Sequence, residues 1–146
     1  MRELPRQLSA EELAELFEGR TRFVELLAER KNPLEHAPEV IAVLSDEEKR
    51  EVLDAHPAIG QTKGLSARSA AEQGTDTDPV VLAELARLNA EYEERHGFRF
   101  VVFVNRRPKA EILEVLKRRM NNPTDVELEI ALAELVAIAT DRWQRG

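Results

Sequence analysis

At three places along the chain a hydroxyl residue three positions ahead of a glutamate reads as a capping box: Ser9-Ala10-Glu11-Glu12, Ser45-Asp46-Glu47-Glu48 and Thr124-Asp125-Val126-Glu127. In such a capping box the hydroxyl accepts from the third helical amide while the carboxylate returns to the cap's own N–H, so each marks a helix start. The first predicts a helix through about Phe17, with Gly19 permitting a stop before a second helix from about Thr21 to Glu29. Pro33 opens a short third segment around Pro38 to Leu44. The second box launches a helix that must end by His56, because Pro57 disfavours helical geometry in the residue before it.

Between Ala58 and Leu65 two glycines and little periodicity indicate a loop, followed by a short helix around Ala67 to Gln73. Asp78-Pro79 is a cap with proline at the first helical position, and Leu82, Leu85, Leu88 and Tyr92 form a stripe that closes at Gly97. The run Phe98 to Val104 is apolar and aromatic enough for a strand, yet no partner strand is evident, so an extended buried segment fits equally. Pro108 starts a helix to about Met120, and the third box opens a last one through about Trp143, with Leu128, Leu132, Leu135 and Ile138 inward. The expected fold is all-α, a single compact domain of about seven helices over residues 1–146.

Composition narrows the function. With 146 residues, 42% hydrophobic and 34% charged, the chain suits one globular core, without low-complexity tracts or internal repeats. No cysteine is present, which removes disulfides, thiolate metal sites and a cysteine nucleophile, and agrees with a reducing compartment. No apolar run approaches a membrane span, and no basic-then-apolar leader opens the chain, so a cytoplasmic protein is expected. A net charge of −7 disfavours nucleic acid and anionic lipid as partners, despite basic patches at Asn105-Arg106-Arg107-Pro108-Lys109 and Lys117-Arg118-Arg119. The second patch suits a helix end, where cations complement the dipole.

The three histidines lack metal-ligand spacing, so no metal is expected. His96, before Gly97, reads as a helix-end cation, and His36 carries no usable signal. His56 is held extended by Pro57 just past a helix end, which suits either a solvated terminal cation or an imidazole at the rim of a pocket. Ser69, Glu72 and Gln73 share one face of a short helix, which suits a solvated surface or a polar heterocycle. Arg142 continues the line Ala131, Leu135, Ile138, the apolar side of the last helix; it either snorkels out at the helix end or meets a buried anion. No phosphate loop, nucleophile elbow or dinucleotide fingerprint appears, which leaves acid/base work by His56 and Glu72 on a small polar molecule.

Taken in order, Ala55-His56-Pro57-Ala58-Ile59-Gly60, Ser69-Ala70-Ala71-Glu72-Gln73, Leu88-Asn89-x-x-Tyr92 with Gly97-Phe98-Arg99-Phe100-Val101-Val102, and Arg119-Met120-Asn121-Asn122 resemble the successive signatures of the OHCU decarboxylases. The closing Glu127-x-x-x-Ala131-x-x-Glu134-Leu135 with Ile138-Ala139-x-x-Arg142 fits too, as does the opening Leu16-Phe17-Glu18 and Phe23-Val24. The resemblance implies decarboxylation of 2-oxo-4-hydroxy-4-carboxy-5-ureidoimidazoline (OHCU) to (S)-allantoin in uric acid breakdown, without cofactor or metal, in a helical homodimer. On the matching positions it implies His56 as proton donor, Glu72 as its acid/base partner and Arg142 near the substrate's charge. Pro57, Ser69, Gln73 and the backbone of Phe100, Val101, Val102, Phe103 and Val104 would line the pocket. Two alternatives share these residues: an acid/base enzyme acting on another ureido compound, and a noncatalytic helical binding module.

Overall fold

A computed structural model describes residues 3–58 and 78–145. Among these residues there are seven helices and no strand: α1 (Ala10–Phe17), α2 (Arg22–Ala28), α3 (Ala37–Val43), α4 (Asp46–Asp54), α5 (Pro79–His96), α6 (Lys109–Arg119) and α7 (Thr124–Arg145). The expected loop beyond Ala58 and the short helix around Ala67 to Gln73, with Ser69, Glu72 and Gln73, lie outside the described residues.

The first two capping boxes form as the residue order demands. Ser9 Oγ accepts from the Glu12 amide and Glu12 returns to the Ser9 N–H; Ser45 and Glu48 do the same for α4. Thr21 caps α2 through its hydroxyl, and Asp78 accepts from the Val80 amide ahead of Pro79. Gly97 ends α5 in left-handed conformation at φ 78, where a side chain would be strained.

The third box does not form. The Glu127 amide donates to Pro123 O, so Thr124 lies inside α7 instead of capping it. Its hydroxyl meets His96 Nδ1 at 2.8 Å, and the Glu127 carboxylate turns into the core. Three side-chain donors, from Tyr92, Arg119 and Asn122, hold that carboxylate better than a single backbone N–H would.

His96 is the last residue of α5, at the helix end where the sequence placed it, and its ring is buried, with Nε2 3.2 Å from Met120 O, an acceptor that requires Nε2 to carry a proton. The run from Phe98 to Val104 is almost wholly buried but forms no strand and pairs with none among the described residues. Side chains cover its edge: Arg119 donates to Val101 O at 2.8 Å, and Arg107 to Phe103 O and Val104 O.

α7 is the axis of the bundle and touches α1, α3, α4 and α5, while α6 packs along α5. Leu128, Ala131, Leu132, Leu135, Ile138 and Ala139 supply its buried face. Phe17 meets Phe23 edge-to-face at 5.1 Å, so the break at Glu18–Gly19 folds α2 back onto the core of α1. Trp143 Nε1 donates to Glu3 O at 2.7 Å and fastens the start of the chain to the end of α7.

Candidate functional site

His56 follows the last turn of α4, and its amide donates to Leu53 O. Arg99, just beyond α5, fixes the same turn: its guanidinium donates to His56 O at 2.6 Å and Asp54 O at 3.2 Å, and its amide to Asp54 Oδ1. Two helix ends remote in sequence are thereby joined through the backbone that carries the imidazole. The ring sits deeper than a rim position, with the residue 9% exposed. Its Nδ1 is buried and meets no hydrogen-bond partner among the described residues.

Arg142 is buried, as its place on the apolar stripe predicts, and does not snorkel out. Nη1 donates to Leu16 O at 2.9 Å, and Nη2 pairs with Glu18 Oε1 at 3.0 Å. Among the described residues, the anion that a buried guanidinium requires comes from the end of α1. Glu18 was missed as a site residue because its place after Phe17 looks like an ordinary helix exit. The available signal was its position before Gly19, where a left-handed turn can carry a side chain inward.

His56 registers its surroundings. Burial foremost, then the Arg142 cation, lower its pKa to about 4; Glu18 pulls the other way, and Arg99 adds a smaller depression. The free imidazole is accordingly neutral at pH 7. A proton donor at this position needs an added negative charge beside it.

The wall from Phe100 to Val104 offers its backbone more than its side chains. The Phe100 ring is spent in the core, 5.2 Å from the Tyr92 ring and under the Arg119 guanidinium at 4.6 Å. Carbonyls of Val101, Phe103 and Val104 are engaged by arginines, whereas the N–H groups of residues 100–104 take no backbone partner among the described residues. Backbone donors of this kind can meet the acceptors of a polar heterocycle. Pro57 is half-buried beside His56.

A depression of about 650 Å³ along α4 is lined by Arg22, Glu47, Glu48, Arg50, Glu51 and Asp54, without His56 or Arg142. Its four carboxylates outnumber its two guanidiniums, the wrong sign for an anionic ligand. No group of three or more His, Asp or Glu side chains among the described residues could hold a metal ion.

A family model for OHCU decarboxylase matches residues 2–144 of the chain. The chain belongs to the OHCU decarboxylase family. Within this family it is 40% identical over 104 residues to the uric acid degradation bifunctional protein TTL of Arabidopsis thaliana, covering 65% of this chain and 32% of that protein. It is 32% identical over 99 residues to the 2-oxo-4-hydroxy-4-carboxy-5-ureidoimidazoline decarboxylase of Haloferax volcanii, covering 65% of this chain and 59% of that one. The corresponding mouse enzyme is 33% identical over 96 residues, 60% of this chain and 54% of its own. The chain thus spans between about a third and three fifths of the length of these relatives.

A crystal structure of an OHCU decarboxylase in the presence of (S)-allantoin superposes with a TM-score of 0.75 at 28% identity, covering 90% of this chain and 94% of that one. An (S)-allantoin synthase, at 22% identity and TM-score 0.68 over 91% of this chain and 47% of its own, shares the fold.

Proposed function

We propose that this OHCU decarboxylase family member removes CO2 from OHCU and yields (S)-allantoin, as a carboxy-lyase of uric acid degradation that works without cofactor or metal. The observation that carries this reading is the burial of a histidine and an arginine 86 positions apart in sequence, His56 and Arg142, close enough that the Arg142 cation lowers the His56 pKa.

The geometry suits the chemistry. Breaking the bond to the carboxylate releases CO2 and leaves its electron pair on the ring carbon that bore it, from which the adjacent ring C=N draws it into an enol. One proton then adds at the neighbouring ureido-bearing carbon, the stereocentre of allantoin, while the enol hydroxyl gives up its proton and becomes the carbonyl. The protein need only orient the carboxylate, exclude water and deliver the proton to one face. Arg142 orients the carboxylate, the N–H row of residues 100–104 takes the heterocycle, and His56 donates the proton. The substrate's negative charge raises the His56 pKa from its low value in the free protein, and Glu72 serves as its acid/base partner. Ser69, Gln73 and Pro57 complete the pocket. The chain works as one domain, a homodimer in the cytoplasm, on a small-molecule substrate.

The test is turnover of freshly generated OHCU, followed by optical activity. Spontaneous decay gives racemic allantoin, whereas delivery of a proton from one face gives the (S) enantiomer. Decay at the spontaneous rate with racemic product would refute the assignment, and would favour either another ureido substrate or a noncatalytic binding role.

A further inference from the structure

The pairing of Arg142 with Glu18 bears on how the site treats a carboxylate. Glu18 closes α1 in left-handed conformation at φ 67, which a residue with a Cβ adopts at some cost. Its carboxylate meets Arg142 Nη2 at 3.0 Å, with side-chain exposures of 11% and 0%. The Leu16 carbonyl takes Nη1 of the same guanidinium. One helix end thus grips two nitrogens of Arg142 and sets a full negative charge against it.

That counter-charge has a chemical consequence, which rests on the decarboxylase reading above. A carboxylate about to leave as CO2 carries its charge in the ground state and surrenders it to the ring in the transition state. An uncompensated cation fixed on that carboxylate stabilises the ground state more than the transition state, so binding tightens while chemistry slows. A guanidinium already paired with a carboxylate still offers directed N–H donors but a weaker field. We propose that Glu18 is a positioning residue that holds Arg142 in register and tempers its charge, so that the site orients the substrate's carboxylate without trapping it.

Glu18→Gln tests this, because it keeps the side-chain length and an oxygen for Arg142 Nη2 while removing the charge. The expected result is a fall in kcat of roughly tenfold accompanied by a fall in KM, the pattern of over-stabilised ground state. At equilibrium, allantoate, an unreactive ureido carboxylate, binds several-fold tighter to the variant, while (S)-allantoin, which lacks the carboxylate, binds as it does to wild type. Glu18→Gly, whose backbone suits the left-handed position, is measured in parallel and shows the same split if the glutamine variant folds poorly. A KM that rises, or an allantoate affinity equal to wild type in folded protein, overturns the proposal. A purely structural role lowers the melting temperature and leaves both KM and allantoate affinity unchanged. If wild type fails to decarboxylate OHCU, the decarboxylase reading falls on its own, and the two binding measurements still decide what Glu18 does to Arg142.

Discussion

Tyr92 Oη donates a 2.6 Å hydrogen bond to Glu127 Oε1, joining α5 to α7 inside the core, where Glu127 is fully buried. Arg119 Nε reaches the same oxygen at 2.9 Å, and Asn122 Nδ2 takes Oε2 at 2.8 Å. Burial first, and the Glu127 bond next, push the Tyr92 phenol well above its usual pKa, so it stays a donor at any physiological pH. Arg119 in turn holds the Val101 carbonyl, so this network anchors the wall of the candidate site. Tyr92→Phe is expected to cost about 1.5–3 kcal/mol, the range for a hydrogen bond to a charged group. Glu127→Ala, which strands the buried Arg119 cation, is expected to cost about 3–5 kcal/mol. Urea denaturation ranks the two, and an equal loss in both would contradict the ionic centre.

Arg142→Met is expected to harm folding as well as turnover, because it takes a cation from Glu18 and a donor from the Leu16 carbonyl. The loss of stability should be on the order of 3–5 kcal/mol. Arg142→Met with Glu18→Gln should be more stable than the sum of the two single losses, since the second change removes the charge that the first exposed. Strict additivity in a double-mutant cycle would show that the pair does not act as one.

Acid should destabilise the protein through His56. Its folded pKa of about 4 lies below the ordinary 6.5, so between these values the unfolded chain binds a proton that the folded one resists. Stability then rises with pH across that window: the contribution is present above about 6.5 and is lost progressively as pH falls toward 4, by about 3 kcal/mol in all. Stability curves of wild type and His56→Asn should converge as pH drops; curves that stay parallel from pH 7 to 4 would remove His56 from the effect.

His56→Asn and Glu72→Ala should each lower turnover by about 100-fold or more, the usual scale of general acid catalysis. Their double variant should be little worse than the worse single, because one broken proton path cannot be broken again. Melting temperature serves as the folding control. A folded His56→Asn protein that still made one enantiomer at wild-type rate would exclude the proton-donor role.

Gly97→Ala isolates a backbone effect. A Cβ built there meets nothing within 4 Å, so the positive φ of 78 alone sets the penalty, expected at roughly 1 kcal/mol. A neutral substitution in thermal melting would show that α5 can end without its left-handed cap.

The residue order determined where this chain turns. Ser9, Thr21, Ser45 and Asp78 cap the helices that follow them, and Gly97 ends α5, because caps act over three or four residues and need no distant partner. The register of α7 likewise placed Arg142 among the leucines that became core, and the order of short motifs singled out His56. Tertiary structure decided the rest. Thr124 and Glu127 carry the same local pattern as the two boxes that formed, yet both were captured by partners on other helices, His96 for one and Tyr92 with Arg119 for the other. The segment from Phe98 to Val104 was ambiguous for the same reason, since arginine side chains from later in the chain took the place of a partner strand. Glu18 joins the site only because folding sets the end of α1 against α7, with Leu16 and Arg142 126 positions apart along the chain. A local signal fixes a backbone group within one turn, but a buried charge must be matched by whatever opposite charge the packing of the whole bundle delivers to it.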